Sequence, residues 1–233
     1  MIAIICAMSE ERDAFISLMD DVKVVKFEKI AYHGMPLDNK CFKGKLKGKD
    51  VVIIHSGVGK VYAAIVTTVV IKKFKPDLII NVGCAGSTDK NIHLGDVVVG
   101  TRVADWDVDV PGWERSIYSD KMSYACDGRF SKLAKQIESN INIKTGYIVS
   151  SDEFIYKKSQ VNTIKKYFPD ALCGEMEGSS IANTCYAFGV PVAIVRSISD
   201  ETLVNGSYKD FDFNLNKACE AAASICAKII KRY

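Results

Sequence analysis

The chain opens on an apolar run, Met1 to Met8, and similar short β-branched runs recur between longer segments of helical spacing. That alternation predicts a mostly parallel sheet flanked by helices. Ile2–Ala7 reads as the first strand and Glu10–Met19 as the first helix. Val22–Lys29 and Lys40–Leu46 read as hairpin-like strands before a strand at Asp50–His55, with Gly44 and Gly48 as turn residues. A helix over Val61–Lys73 leads through Pro76 into strand Leu78–Val82, and Asp96–Val103 follows as another strand. From Ala104 to Tyr124 no period survives. Trp106, Pro111, Gly112, Trp113 and Tyr118 there suggest a long loop ordered by packing, of the kind that often carries function. The alternation resumes with helix Ser131–Glu138, strand Lys144–Ser150, helix Lys158–Tyr167, strand Ala171–Met176, helix Ser179–Phe188 and strand Val192–Ser197. An amphipathic helix, Asn214 to Lys231, closes the chain with Ala218, Ala221, Ala222, Ile225, Ile229 and Ile230 toward the core.

The length of 233 residues suits one large core, burying roughly three quarters of the unfolded chain's surface. No repeat, low-complexity tract or linker divides it, so residues 1–233 read as a single domain. The formal charge of +3 implies no strongly basic face, which argues against nucleic acid as a partner. Val61 to Ile71 is interrupted by Thr67 and Thr68 and stops at Lys72, well short of the roughly 18 apolar residues of a membrane span; it reads as a buried helix. Eight scattered cysteines, several inside apolar runs, suit reduced core thiols. With no basic, signal-like start, they predict a cytoplasmic protein. Neither the cysteines nor His33, His55 and His93 have metal-ligand spacing, so no metal or cofactor is expected and the histidines read as structural.

Ligands of parallel α/β folds collect at the carboxyl ends of strands. Four such ends carry unusual residues: Met8-Ser9-Glu10-Glu11-Arg12, Ser56-Gly57-Val58-Gly59-Lys60, Gly83-Cys84-Ala85-Gly86 and Arg196-Ser197-Ile198-Ser199-Asp200. Strand Ala171–Met176 adds Glu175 and Glu177, which alternation would place on one face. Each has a plainer explanation. Glu10 and Glu11 suit the first turn of a helix, Asp200 suits an N-cap or a solvated loop, and Glu175 with Glu177 suits an ion-pairing edge. Met8, Met176, Phe154 and Phe211 are core residues by default. The glycine loops match neither GxGxxG nor GxxxxGK[ST], so close backbone approach explains them better than a phosphate cradle.

Taken together, ordered segments resemble the nucleoside phosphorylase and hydrolase superfamily, and within it the 5′-methylthioadenosine/S-adenosylhomocysteine nucleosidases. They are Ile4 to Glu11, Ser56 to Lys60, Pro76 to Gly83, Leu94 to Val98, Ser151-Asp152-Glu153-Phe154-Ile155, Gly174-Glu175-Met176-Glu177 and Arg196 to Asp200. The resemblance implies a three-layer αβα sandwich around a mixed, partly barrel-like sheet. It also implies hydrolysis of an adenine nucleoside, without cofactor, by a homodimer.

It further implies roles for the residues. Asp200 would be the general acid that protonates adenine at N7, oriented by Ser199 and kept protonated by an apolar pocket. Glu11 would be the general base for the attacking water, which Arg196 would help to hold. Glu177, with Met176 and Glu175 beside it, would bind the ribose. Phe154 would stack on adenine and the Ile155 backbone would read its edge, next to Cys84, Ala85 and Gly86. Met8, Val58 and Phe211 would line the 5′ pocket, capped across a dimer interface by Trp113. Cys84 stands where the family usually has a water-positioning Ser, and a thiol is a weaker hydrogen-bond partner. Two other readings stand beside hydrolysis: a phosphorylase, which Glu11 disfavours by repelling phosphate, and a nucleoside-binding or storage protein, which has no need of a matched acid and base.

Overall fold

The computed structural model describes residues 1–30, 40–110, 123–204 and 211–233. Their strands are β1 (Ile2–Cys6), β2 (Asp20–Lys26), β3 (Lys40–Leu46), β4 (Lys49–His55), β5 (Leu78–Ser87), β6 (Val97–Asp105), β7 (Ser123–Ala125), β8 (Ile143–Ser150), β9 (Ala171–Glu175) and β10 (Val192–Glu201). The helices are α1 (Ser9–Ile16), α2 (Lys60–Phe74), α3 (Gly128–Ala134), α4 (Lys158–Tyr167), α5 (Gly178–Phe188) and α6 (Phe211–Arg232).

All ten strands join one sheet. The parallel pairs β1–β4, β1–β5, β5–β10, β6–β8 and β8–β9 are interleaved with antiparallel joints β5–β9, β6–β10, β6–β7 and β2–β3–β4, so the sheet is mixed rather than mostly parallel. The antiparallel joints let β5, β10, β6, β8 and β9 close into a ring, while β1, β4, β3 and β2 extend from it as an open arm. Strand β5 serves both parts. Its first residues, Leu78 to Asn81, pair with β1, and Gly86 and Ser87 pair with β9. The two partners diverge between these points, so the sheet splits beside Val82 to Ala85. Splits of this kind expose strand ends to ligands.

Side-chain alternation distributes the core over both faces. Ile2, Ile4, Ile53, Ile80 and Val195 pack against Phe15 of α1, Phe130 of α3 and Ala222, Ile225 and Ile229 of α6. Ala3, Ile5, Ile54, Ile79 and Ile194 pack against Ala63, Val66 and Val70 of α2 and Ile181 and Cys185 of α5. A third cluster seats Val161 and Ile164 of α4 against Trp106, Val149 and Ile155. In α6 the expected apolar face is buried except for half-buried Ala221.

Three differences from the sequence reading bear on the site. β5 and β10 run on through Gly83–Gly86 and Ser199–Asp200, which are strand rather than turn. The turn before β4 is Lys47-Gly48, with positive φ at both, whereas Gly44 lies inside β3 because a Cβ there would meet Asp20 O at 2.6 Å. The expected loop after Val103 instead extends β6 to Asp105 and includes β7; its stretch 111–122, with Trp113, lies outside the described residues, as does His33. α2 is buried on one face only, since Val61 and Ile65 are exposed. Among the described residues no helix is long and apolar enough to cross a membrane.

Candidate active site

A cavity opens at the split beside β5. Of the residues expected there, Met8, Glu11, Val58, Cys84, Ala85, Gly86, Phe154, Ile155, Glu175, Met176, Glu177, Ser199, Asp200 and Phe211 all line it. Met8, Met176, Phe154 and Phe211 belong to none of the three core clusters, so their default reading as core is corrected. Phe154 and Phe211 meet edge to face, 5.7 Å between centroids, and Phe154 remains exposed, as a platform for a planar ligand would be.

Glu11 is both a helix cap and a site residue. In the first turn of α1 its Oε2 accepts from Ala7 N at 2.8 Å and Met8 N at 3.0 Å. Its Oε1 crosses to β5 and accepts from Cys84 N at 3.0 Å, an amide that neither β1 nor β9 pairs. Gly83 makes the crossing possible: a Cβ there would stand 2.4 Å from Oε1. Burial raises the pKa of Glu11 above the ordinary carboxylate value, against the opposing Arg196 charge and the three amides. That shift brings it nearer the range of an efficient general base.

Asp200 is 1% exposed on β10. Ser199 Oγ donates to its Oδ1 at 3.0 Å, and Thr202 Oγ1 lies 3.5 Å from Oδ2 and donates to Ile155 O at 3.2 Å. Gly86 again gives room, since a Cβ there would come within 2.8 Å of Oδ2. The second glycine segment therefore serves carboxylates, not a phosphate. The two acids meet β5 at Gly83 and Gly86, separated by about 10 Å of strand at the usual rise per residue.

Glu175 and Glu177 do not share a strand face, because β9 ends at Glu175 and Glu177 caps α5. Glu175 accepts from Ser150 Oγ, Arg196, Glu177 N at 3.0 Å and Gly178 N at 2.8 Å. Burial alone would raise its pKa, but the Arg196 charge and these bonds hold it below the ordinary value. Its oxygens are occupied by the protein, so it fixes the turn to Glu177 rather than presenting itself to a ligand. Glu177 Oε1 accepts from Gly59 N at 2.8 Å, and among the described residues no donor meets Oε2. Arg196, fully buried, lies behind the cavity wall, donating to Val195 O, Asn81 and Glu175. It reaches Glu11 through its charge.

Cys84 turns its thiol to Cys219 on α6, with 3.8 Å between sulfurs. That thiol hydrogen bond and burial raise its pKa well above the usual thiol value, so it stays neutral. What position 84 lends Glu11 is a backbone N–H that any residue except proline would supply there. Sequence reading missed Asn81, Ser150, Thr202 and the Lys60 ion pairs. Asn81 alone left a signal, a polar residue inside the apolar run Leu78 to Val82.

Burial, then Glu175, pushes Glu177 up to about 8. Folding therefore retains a proton that the unfolded chain releases near pH 4.3. Stability from this group is complete below that pH and is lost as pH rises toward 8. Glu177→Gln keeps an acceptor for Gly59 N and removes the dependence. Its stability relative to wild type should rise between pH 5 and pH 8, by an amount on the order of 3 kcal/mol. Thermal melts across that range check it, and a constant difference would place the proton elsewhere.

A family model for the phosphorylase superfamily matches residues 1–231. A 5′-methylthioadenosine/S-adenosylhomocysteine nucleosidase of Staphylococcus carnosus is 39% identical over 99% of this chain and 99% of its own. The crystal structure of the enzyme of that name from Neisseria meningitidis, in complex with methylthio-immucillin-A, superposes with a TM-score of 0.84 at 32% identity, covering 100% of this chain and 99% of that one. Futalosine hydrolase of Helicobacter pylori superposes with a TM-score of 0.81 at 28% identity, covering 100% and 97%. The chain belongs to the phosphorylase superfamily, and within it to the 5′-methylthioadenosine/S-adenosylhomocysteine nucleosidases.

Proposed function

We propose that this protein hydrolyses the N-glycosidic bond of 5′-methylthioadenosine and S-adenosylhomocysteine, and of 5′-deoxyadenosine, releasing adenine and the 5′-substituted ribose. The observation that carries this is a pair of buried carboxyl groups, Glu11 and Asp200, reaching one apolar cavity from different elements, with Glu177 beside them. Adenine is a poor leaving group as an anion. Asp200 donates a proton to N7, so the base departs neutral while the sugar gains oxocarbenium character. Ser199 and Thr202 set the direction of that carboxyl group. Glu11 removes a proton from water on the opposite face, repeating the division of labour in inverting glycosidases.

Glu177 holds the ribose diol, whose hydroxyls donate to a carboxylate or accept from a carboxyl. Met176 packs on the sugar. Phe154 stacks on the base and the backbone at Ile155 reads its edge. Met8, Val58 and Phe211 surround the 5′ substituent. Arg196 acts through Glu175 and Glu11 rather than on the water itself.

Exposed Val61 and Ile65 on α2, which follow Val58 at the cavity in sequence, support a homodimer.

Adenine release should be measured for 5′-methylthioadenosine, S-adenosylhomocysteine, 5′-deoxyadenosine and aminodeoxyfutalosine, with and without phosphate. The expected result is phosphate-independent release of adenine from the first two. Release that rises with phosphate and yields a ribose 1-phosphate would make the protein a phosphorylase, and binding without release would make it a storage protein.

A further inference from the structure

Lys60 is the first residue of α2, where the positive end of the helix dipole disfavours a cation and no acid in the first turn compensates. A residue that breaks a local rule usually answers to something outside its own element. Here the answer is three carboxylates from two other segments. Lys60 Nζ lies 2.9 Å from Asp105 Oδ1 at the end of β6, 2.7 Å from Asp107 Oδ1 just beyond, and 3.7 Å from Asp152 Oδ2 after β8. The ammonium and its two nearest partners are largely shielded from solvent, with side chains 15%, 17% and 21% exposed, so salt screens them less than surface pairs.

The surrounding bonds extend this hub to the cavity wall. Asp107 Oδ2 accepts from Asp152 N at 2.7 Å, anchoring the segment that carries Phe154 and Ile155. Asp105 Oδ1 accepts from Ser179 Oγ at 2.6 Å, and Ser179 N donates to Ser150 Oγ at 2.8 Å, which in turn donates to Glu175. On the near side, Gly59 precedes Lys60 with φ of 100° and gives its N–H to Glu177. Gly57, with φ of 81°, leaves the same loop two positions of unusual backbone freedom. A loop so free does not fix the direction of an N–H unaided. The charge cluster at its end does.

We propose that Lys60 is a positioning residue for substrate selection: by clamping the Gly57–Lys60 loop to the ends of β6 and β8, it holds Gly59 N–H against Glu177 and so aims that carboxyl group at the ribose hydroxyls. This rests on the nucleosidase reading and adds a residue that does not touch substrate. Losing the clamp weakens the contact to the hydroxyls while leaving Glu11 and Asp200 in place, since among the described residues the side-chain bonds of both run to other partners.

The test compares 5′-methylthioadenosine with its 2′-deoxy analogue in wild type, Lys60→Met and Lys60→Arg. Lys60→Met should lower kcat/KM for the hydroxylated substrate by about 10- to 100-fold and for the deoxy analogue by no more than about threefold, shrinking the preference between them. Lys60→Arg, which can still span the carboxylates, should retain most of the preference. General loss of structure lowers both substrates equally, and equal losses or an unchanged preference overturn the proposal. Where Lys60→Met yields no folded protein, Lys60→Gln, which removes the charge and leaves the Asp107 bond to Asp152 N in place, carries the same comparison. A wild-type protein that releases no adenine from 5′-methylthioadenosine refutes the nucleosidase reading itself, whereas active wild type with equal losses in the variants refutes the role of Lys60 alone.

Discussion

Replacing Asp200 with Asn is expected to lower kcat for adenine release by about 10²- to 10⁴-fold, the range for loss of a general acid, while adenine affinity changes by only a few-fold. The amide keeps the shape of the carboxyl group and an oxygen for the Ser199 hydroxyl. It has the same branch width, so it occupies the space that Gly86 leaves open. What it lacks is a proton that leaves for N7. Because only the transition state uses that proton, the loss should fall on kcat and kcat/KM alike and leave ground-state binding in place. Stopped assays of adenine release, with calorimetric titration of adenine, separate the two quantities. A variant rate within tenfold of wild type would remove Asp200 from the acid role. Loss of both rate and affinity would assign it to binding.

The described strands other than β7, the six described helices and most of the chemically unusual segments were legible in the sequence, because period-2 apolar runs, helical periodicity and glycine-flanked acids are local signals. What was not legible depends on how strands diverge. Nothing local says that β5 pairs with β1 along Leu78–Asn81 and with β9 at Gly86 and Ser87. Yet that divergence opens the cavity and exposes Cys84 N to Glu11. Gly83–Gly86 reads as a turn from composition, whereas its glycines stay in the strand because two carboxyl groups need the space of the missing side chains.

Alternation likewise places Glu175 and Glu177 on one face only if the strand continues. It stops at Glu175, since that side chain accepts the amides of Glu177 and Gly178 and so bends the chain into α5. Glu11 caps the first turn of α1 and lines the cavity in one geometry, which no motif by itself could have indicated. The ion pairs of Lys60 escaped notice because its partners lie 45 or more positions away in sequence.

Glu11→Gln tests the other half of the pair. The amide of the variant can accept from Ala7 N and Met8 N, but its NH2 group then faces the donor Cys84 N, where the carboxylate had an acceptor. The base is lost and its anchor on β5 is broken, so kcat should fall by about 10²- to 10⁴-fold. The pH profile then tells base from scaffold. In wild type, Glu11 must be ionised to take a proton from water, and burial places its pKa above the ordinary carboxylate value. The rate should therefore rise with pH through that elevated value, and the acidic limb should be missing from the residual activity of the variant. A variant that keeps the limb assigns it to another group and reduces Glu11 to a helix cap. A variant whose residual rate rises with added phosphate shows that the charge of Glu11 excludes phosphate from the position water occupies, the feature on which hydrolysis rather than phosphorolysis depends.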